Sequence, residues 1–365
     1  MKSYLFIVPS FSSGGAERAV ANFSSQLAAD GYDVTVVIYF RMKDEYPVDS
    51  RVNVINLSGG GEETYNRIPY LQKIKRLRRI LKEKKADYIL PFLPQTTIHA
   101  ALAGFDMHGK IIHTIRNNPA VSPANRIKRI LCNQIICRSW KTIVQSEKQR
   151  AFFPKKYWNK MYILFNPVSG ELLSASKNYQ KTIGTIIAVG RLEKQKNFRM
   201  LIQAMEKVLL IHPNVQLKIY GEGSCRAELQ QLINSSGLHE HVALMGRSNH
   251  LMEVYQEADL FVMSSDYEGM PNTLIEAMAI GLPCISTDCD TGPSDLITSC
   301  VDGLLVPVDR KQAMSDAMIW MIEHPDEAIQ MGQKAKESIR EKCGIETIAQ
   351  RLRDICECGS QNPAF

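Results

Sequence analysis

The feature that most constrains the fold is a regular alternation of short apolar runs with amphipathic stretches. The runs are rich in β-branched residues and apolar on both faces, which is typical of buried parallel strands, and the stretches between them have a helical period. The predicted strands are residues 4–8, 34–38, 52–57, 88–90, 111–115, 142–144, 162–164, 185–189, 216–220, 242–244, 260–263, 283–287 and 304–306. Strands that alternate with helices form βαβ units, so the chain is predicted to be an α/β protein with parallel sheets.

The alternation falls into two series. Residues 166–170 interrupt the pattern, and a polar stretch follows them as far as Lys181. A chain of 365 residues is long enough for two domains. We therefore predict two doubly wound domains, residues 1–168 and 169–345, which offer the carboxyl ends of their strands to a shared cleft. A C-terminal helix in residues 346–365 is expected to pack back towards the first domain.

The sequence also restricts the setting of the protein. No run approaches the ~18 unbroken apolar residues of a spanning helix. The N-terminal apolar run stops at Pro9 without a small-residue cleavage site, which predicts a first strand and not a signal peptide. Nine cysteines show neither metal-ligand nor redox spacing. This pattern favours buried thiols, a reducing cytoplasmic setting and no metal site.

Charge is distributed unevenly along the chain. Residues 1–168 contain 26 Lys and Arg against 12 Asp and Glu, whereas residues 169–365 contain 18 against 26. Two segments concentrate the positive charge: residues 73–85 have eight basic residues and one acidic residue, and residues 126–141 have five basic residues and none acidic. The first half is therefore expected to face a nucleic acid, a membrane surface or a phosphorylated substrate.

The first loop suited to an anion lies between the first predicted strand and a helix over residues 16–30. It contains Gly14, Gly15 and Glu17. Glycines allow a close approach of the backbone, and a helix N-terminus supplies free N–H groups. The third glycine of the dinucleotide fingerprint is missing, so a simple tight turn is an equally good interpretation.

The second loop follows the first strand of the second domain and contains Gly190, Arg191 and Lys196. A planar guanidinium and an ammonium at a strand end suit a diphosphate. The alternative is a solvated basic loop, which is less expected because this half of the chain is acidic.

The third loop contains Glu268, and Glu276 follows in a helix that begins near Pro271 or Asn272. A carboxylate beside a helix N-terminus can accept hydrogen bonds from vicinal hydroxyls such as those of a ribose. Alternatively, Glu276 only interacts favourably with the helix dipole. Farther along, Gly292 is either a point of close approach to a ligand or part of an ordinary turn.

In this order and at these separations, the motifs resemble those of glycosyltransferase family 4, whose members have the GT-B fold of two Rossmann-like domains facing a central cleft. The resemblance covers most of the chain, including the loop at Gly292 and residues 302–307. It implies retaining transfer of a hexose or N-acetylhexosamine from a nucleotide-diphosphate sugar without a required metal or other cofactor. UDP is the expected nucleotide, while no motif identifies the sugar or the linkage.

The resemblance also implies residue roles. Arg191 and Lys196 would hold the diphosphate, Glu276 would bind the ribose hydroxyls, and Glu268 would lie beside the donor sugar. The other implied substrate-binding positions of the donor and glycine-rich loops are Gly14, Gly15, Glu17, Gly190, Gly269, Met270, Pro271, Asn272, Thr273 and Leu274. Many relatives have a histidine at the end of an N-domain strand.

That histidine position corresponds here to Arg116. Arg116, counted among the catalytic candidates, and Asn117 are expected to contact the acceptor or the sugar. His113 lies earlier in the strand and is predicted to be a core residue.

The nearest resemblance is to bacterial N-acetylgalactosamine transferases that extend undecaprenyl-pyrophosphate-linked glycans. It aligns the first basic segment with their pyrophosphate-holding helix. The implied acceptor and membrane contacts are Lys73, Lys75, Arg76, Arg78, Arg79 and Lys82. Each cation near an anionic leaflet contributes ~1 kcal/mol, so peripheral attachment to the cytoplasmic membrane is expected. The implied pathway is capsule, O-antigen or glycan-precursor synthesis.

Other functions are compatible with parts of this pattern. A transferase with a soluble acceptor would have the same donor motifs. A nucleic-acid-binding or membrane-binding protein would use the basic segments, but we identify no aromatic stacking segment among them and no nucleic-acid module, so no nucleic-acid partner is expected. A noncatalytic member of the family would require a disrupted donor site.

Overall fold

The structure is a computed structural model that describes residues 2–12, 14–43 and 45–357. The chain divides into two compact units, residues 1–167 with 345–365, and residues 168–344. The two points at which the chain enters and leaves the second unit are adjacent. The Val168 N–H donates to the Cys343 carbonyl at 2.8 Å, and Val168 forms a parallel bridge with Gly344. The second unit is thus a continuous insertion within the first.

The first unit contains a parallel sheet. Its strands are β1 (Ser3–Val8), β2 (Asp33–Ile38), β3 (Asn53–Asn56), β4 (Tyr88–Pro91), β5 (Ile112–Thr114), β6 (Lys141–Val144) and β7 (Met161–Ile163). Its first six helices are α1 (Gly15–Ala29), α2 (Glu62–Arg67), α3 (Tyr70–Lys84), α4 (Pro94–Ala103), α5 (Arg126–Arg138) and α6 (Glu147–Ala151). The strand order is β3-β2-β1-β4, continued through a parallel bridge between Ile89 and Ile111 to β5-β6-β7.

The second unit contains a second parallel sheet. Its strands are β8 (Thr185–Val189), β9 (Gln216–Tyr220), β10 (Val242–Gly246), β11 (Leu260–Met263), β12 (Cys284–Thr287) and β13 (Leu304–Val306). Its helices are α7 (Gly170–Ser174), α8 (Phe198–Ile211), α9 (Arg226–Ser235), α10 (Leu251–Glu257), α11 (Asn272–Ile280), α12 (Pro293–Leu296), α13 (Lys311–Glu323) and α14 (Pro325–Cys343). The strand order is β10-β9-β8-β11-β12-β13. From β8 the chain adds strands on one side as far as β10 and then on the other side from β11 to β13, so the topological switch point lies between β8 and β11. In doubly wound sheets, ligands bind at the carboxyl ends of the strands at such a switch point.

The central strands are buried on both faces, as their sequences predict. Phe6 of β1 faces a core that includes Phe23 of α1, whereas Leu5 faces a second core that includes Leu77 of α3. Each predicted strand is present, and its ends differ by at most two residues from the prediction.

The last helix, α15 (Ile345–Glu357), belongs to the first unit. Its buried residues Ile348, Leu352 and Ile355 join the core that contains β1 and α1. The buried Lys141 ammonium donates to the carbonyls of Ile355 at 2.5 Å and Cys356 at 3.2 Å. It thereby satisfies carbonyl groups that have no partner within the described part of the helix. The predicted helix extended to residue 365, and residues 358–365 lie outside the described residues.

Two observations concern the described part of the chain as a whole. None of its helices is long and apolar enough to cross a membrane. The eight cysteines within it are free thiols, and five of them are buried. Most of these thiols are therefore shielded, which agrees with the sequence-based expectation.

Candidate active site

The loops after β8 and β11 are bonded to each other at the switch point of the second sheet. The Asp266 N–H donates to the Gln195 carbonyl at 2.9 Å, and Gln195 Nε2 donates to the Tyr267 carbonyl at 2.8 Å. The Ser264 hydroxyl donates to the Lys196 carbonyl at 2.8 Å. These bonds position residues of two distant segments against each other.

Lys196 and Glu268 form an ion pair between these two loops. Lys196 Nζ lies 2.5 Å from Glu268 Oε1, and the two side chains are only 14% and 9% exposed. The aliphatic part of Lys196 crosses Gly190, where an added Cβ would lie 3.1 Å from Lys196 Cε. A glycine at position 190 therefore leaves room for the lysine stem.

Gly292 fixes the other side of the Glu268 loop. Its φ of +96° is one that favours glycine, and an added Cβ would lie 2.4 Å from the Gly269 carbonyl oxygen. The neighbouring Thr291 hydroxyl donates to the Glu268 carbonyl. A glycine at position 292 therefore allows a close approach to the backbone at Gly269, and a contact of Gly292 with a ligand remains a prediction.

The first turn of α11 lies at the same strand ends and includes two backbone N–H groups that have no acceptor within the helix. The N–H groups of Thr273 and Leu274 have no intrahelical acceptor, because only from Ile275 onwards do helix N–H groups find one. The hydroxyls of Thr273 and Ser265 are buried and have no hydrogen-bond partner among the described residues. This group of donors suits an anionic or hydroxyl-rich ligand.

Glu276 lies in the second turn of α11 and is 3% exposed. Its Oε2 accepts a hydrogen bond from the Tyr255 hydroxyl at 3.0 Å. Tyr255 is fully buried on α10 and packs edge-on against Phe261. Tyr255 could not be predicted from the sequence, because no motif connects a helix tyrosine with a carboxylate 21 residues later.

Arg191 extends from the carboxyl end of β8 and is exposed. Within the described residues, no hydrogen-bond acceptor is paired with its guanidinium. Its guanidinium can therefore bind an anion directly, whereas the Lys196 ammonium is held in place by Glu268.

In the first unit, the loop after β1 leads directly into α1. The Glu17 side chain folds back over Gly14, where an added Cβ would lie 1.9 Å from Glu17 Oε2. Gly15 is the first residue of α1 and is exposed. The position of Glu17 in the first turn is favourable for the helix dipole, so this residue has a structural role in addition to any contact with a ligand.

Arg116 follows β5 and lies among side chains at the ends of neighbouring strands. Its guanidinium stacks on Phe92 with 4.2 Å to the ring centroid, and its Nη1 donates to Asn166 Oδ1 at 3.1 Å. Burial lowers the pKa of Arg116 to about 9. Asn117 follows it, with its carbonyl near Gln149 Nε2 at 3.5 Å. His113 is buried within β5, as predicted.

All but the last residue of the basic segment 73–85 lies in α3, and its cations differ in their exposure to solvent. Lys75, Arg79 and Lys82 are exposed. Arg76 is also exposed, although its Nη1 donates to the Leu57 carbonyl at 3.3 Å. Lys73 is half-buried, with its ammonium 3.9 Å from the centre of the Tyr65 ring.

Two predicted surface cations have internal partners instead. Arg78 donates to the Ala103 carbonyl at 2.8 Å and forms an ion pair with Asp106 at 2.9 Å. Lys141, which ends the second basic segment, is buried against α15 and is not a surface charge. Both differences arise because side-chain charge in the sequence does not reveal tertiary partners.

The second basic segment begins with α5, which exposes apolar as well as basic side chains. Ile127 is 78% exposed, Ile130 is 53% exposed and Leu131 is 45% exposed. Exposed apolar residues among cations are typical of surfaces that contact membranes or protein partners.

The predicted residues thus form a set on each unit. The second unit brings together Gly190, Arg191, Lys196, Glu268, Gly269, Met270, Pro271, Asn272, Thr273, Leu274 and Glu276 at one edge of its sheet. The first unit contains Gly14, Gly15, Glu17, Arg116, Asn117 and the cations of α3.

Comparison with known proteins places both units in described families. Residues 13–171 match the family model "Glycosyltransferase Family 4", and residues 171–338 match "Glycosyl transferases group 1". An uncharacterized glycosyltransferase of Haemophilus influenzae is 27% identical over 96% of this chain and 98% of its own length. A Campylobacter jejuni alpha-1,4-N-acetyl-D-galactosaminyltransferase, named for its GalNAc-containing diNAcBac-PP-undecaprenol substrate, is 27% identical over 86% of this chain and 87% of its own.

Solved structures show the same fold. A mutant of S. aureus TarM, in complex with fondaparinux, alpha-GlcNAc-glycerol and UDP, superposes with a TM-score of 0.82 at 16% identity and covers 98% of this chain and 100% of its own. Anabaena HepE in complex with UDP and glucose superposes with a TM-score of 0.81 at 16% identity over 97% of this chain and 99% of its own. The two family models together span residues 13–338, and the chain belongs to the glycosyltransferases that have the GT-B fold.

Proposed function

We propose that this glycosyltransferase moves a hexose or N-acetylhexosamine from a UDP-sugar to a lipid-pyrophosphate-linked glycan, with retention of configuration and without a required metal. The observation that best supports a nucleotide-sugar donor is the group formed by the Lys196–Glu268 ion pair, the first turn of α11 and the buried Glu276. This group joins positive charge, free N–H donors and a carboxylate at one sheet edge, as a nucleoside diphosphate requires.

The donor would be held by its diphosphate and its ribose. Arg191, Lys196 and the N–H groups of Thr273 and Leu274 bind the phosphate oxygens. Glu276 accepts hydrogen bonds from the ribose hydroxyls, and Tyr255 keeps its carboxylate in position. As the sugar leaves, negative charge grows on the diphosphate, and these donors stabilise it.

Glu268 would orient Lys196 and lie beside the donor sugar. Its pairing with Lys196, and that of Glu276 with Tyr255, give the two carboxylates different environments. They do not form the acid–base pair of a glycoside hydrolase, in which two carboxyl groups flank the scissile bond. Retention then results from attack of the acceptor on the same face, assisted by the leaving phosphate, and no protein nucleophile is assigned.

The acceptor would be a glycan on a lipid pyrophosphate in surface-polysaccharide or glycan-precursor synthesis. Two observations support it: the exposed cations of α3 and the exposed apolar residues of α5. A second Campylobacter relative, 34% identical over 43% of this chain, is also named for a diphospho-undecaprenol acceptor. Peripheral attachment of the first unit to an anionic membrane is part of this proposal.

The donor proposal is tested by thermal denaturation with UDP, GDP and ADP, each with and without a chelator. Binding to the folded state stabilises it by about 2.7 kcal/mol at a hundredfold excess over Kd. UDP should raise the melting temperature whether or not the chelator is present. The variant Glu276→Ala should lose the response, whereas Glu337→Ala, which removes an exposed carboxylate of α14, should retain it. Failure of every nucleotide to stabilise the folded protein would overturn the donor assignment.

The membrane proposal is tested by co-sedimentation with vesicles that contain anionic lipid. Replacement of Lys75, Arg79 and Lys82 by serine should reduce binding, and added salt should reduce binding of the unaltered protein, because exposed charges are screened. The matched control replaces three exposed cations of the second unit by serine: Arg310, Lys334 and Arg340. Equal loss in both triple variants would show that only net charge matters and would refute the assignment of α3.

A further inference from the structure

Arg116 belongs to a row of side chains at the carboxyl ends of four adjacent strands. Phe92 follows β4, Arg116 follows β5, Gln145 follows β6 and Asn166 follows β7. The carboxyl edge of a parallel sheet is where ligands of doubly wound domains bind. The row lies in the first unit, whereas the donor residues discussed above lie in the second.

Only one nitrogen of the Arg116 guanidinium, Nη1, has a hydrogen-bond acceptor among the described residues. One face covers the Phe92 ring, and Nη1 donates to Asn166 Oδ1 at 3.1 Å. Nε and Nη2 are buried, and no acceptor among the described residues pairs with them. These two N–H groups lie along one edge of the planar group, the arrangement that binds two oxygens of a carboxylate or phosphate together.

This arrangement is costly in the protein alone. A buried charge without an opposite charge is strongly unfavourable, and buried donors without acceptors add to the cost. No ion pair joins Arg116 to an Asp or Glu of the described ranges, and burial is the cause of its lowered pKa. An anion at the free edge would supply both the charge and the two acceptors.

Neighbouring bonds fix the position of the guanidinium. Asn166 Oδ1 also accepts from Gln145 Nε2 at 2.8 Å, and the backbone N–H of Gln145 donates to Gln149 Oε1 at 2.7 Å. Gln145 Oε1 is buried without a donor among the described residues. A ligand with a hydroxyl beside its anionic group would satisfy this oxygen as well.

We propose that the Nε–Nη2 edge of Arg116 binds two oxygens of one anionic group of the substrate, so that the first unit selects an acidic ligand. The group is either the carboxylate of an acidic sugar or a phosphoryl group, since both present two oxygens in the required geometry. The proposal rests on the proposed function for the statement that the ligand is a transferase substrate. It adds the charge and the shape of the group that the first unit recognises.

The test is a calorimetric titration of the full chain in the presence of saturating UDP. Sodium glucuronate and sodium pyrophosphate are titrated in separate experiments. UDP occupies the diphosphate site of the second unit, so binding that remains reports on another site. Arg116→Met should weaken the remaining binding about ten- to a hundredfold, because hydrogen bonds to a charged group are lost. Arg116→Lys, which keeps the charge but not the planar edge, should also bind more weakly than the unaltered chain.

A second variant does not remove the arginine. Asn166→Asp places a carboxylate next to Nη1, which neutralises the guanidinium internally, so anion binding should fall while the fold is retained. Arg67→Gln, in an 83% exposed side chain of the same unit, is the matched control for loss of charge and should bind like the unaltered chain.

The outcomes distinguish an acidic sugar from a phosphoryl group as the ligand, and they test the anion site separately from the proposed donor. Binding of glucuronate that depends on Arg116 identifies an acidic sugar, and binding of pyrophosphate that depends on Arg116 identifies a phosphoryl group. The inference is overturned if neither probe binds, or if the Arg116→Met and Asn166→Asp variants bind the probes as tightly as the unaltered chain. Arg116-dependent binding in a protein that does not respond to UDP would refute the proposed donor and leave the anion site standing.

Discussion

The Lys196–Glu268 ion pair makes a quantitative prediction about the second unit. Removing one partner leaves a carboxylate or an ammonium that is only 9% or 14% exposed without its opposite charge. Breaking a fully buried pair costs about 3–5 kcal/mol. Because both side chains retain some contact with solvent, we expect Lys196→Met and Glu268→Gln each to lower the free energy of unfolding by about 2–3 kcal/mol.

The double variant Lys196→Met/Glu268→Gln removes both charges and should lose less than the two single variants together. The resulting coupling energy should be about 2–3 kcal/mol, near the upper end for interacting neighbours. Urea denaturation can be followed by the fluorescence of Trp320 in a background with Trp140 and Trp158 replaced by phenylalanine. Trp320 is then the single tryptophan of the chain and reports on the second unit.

The second unit also provides a matched control pair. Lys207 and Asp316 have the same N–O distance of 2.5 Å, but their side chains are 42% and 54% exposed. Exposed ion pairs contribute about 0–1 kcal/mol to stability. The corresponding single and double variants at Lys207 and Asp316 should therefore give a much smaller coupling energy, which added salt removes. A coupling energy for Lys196–Glu268 no larger than that of the control would refute the argument from burial.

Three further perturbations have expected outcomes. Gly292→Ala should lower the free energy of unfolding of the second unit by about 2 kcal/mol or more in urea denaturation, because the new methyl group collides with the Gly269 carbonyl oxygen. The control is Gly237→Ala: its φ is +68° and no atom lies within 4 Å of the added Cβ, so it measures the backbone strain alone. Tyr255→Phe should weaken UDP binding severalfold by calorimetry without loss of the fold, and unchanged affinity would show that Glu276 needs no positioning. Burial lowers the pKa of His113 to about 3, so the unfolded chain gains a proton as pH falls below about 6.5 while the folded chain does not. The free energy of unfolding of the first unit should therefore fall by about 2–3 kcal/mol between pH 6.5 and 4.5. Thermal denaturation of the His113→Gln variant should show a smaller fall over the same pH range.

Local patterns were sufficient to predict the strands and the start of α11. Buried parallel strands such as β8 and β11 leave continuous apolar runs, and Pro271 before a helical period indicates a helix N-terminus. The two loops of the donor group could also be placed at strand ends, because loop positions follow directly from the alternation of elements.

Pairing between loops could not be predicted from these patterns. Lys196 and Glu268 are 72 residues apart, and they meet because β8 and β11 are neighbours in the sheet. Charge in the sequence was equally uninformative about burial. Arg78 and Lys141 have the same appearance as the exposed Arg79, yet their partners are Asp106 and the end of α15.

The insertion of the second unit within the first has a consequence for biosynthesis. The second unit is continuous, so it can finish folding once residue 344 has left the ribosome. The first unit cannot, because the apolar stripe of α15 is part of its core and is translated only after the second unit. Throughout synthesis of about 180 residues, the surface of β1 and α1 that α15 covers stays open, which makes the nascent first half a natural client for a chaperone.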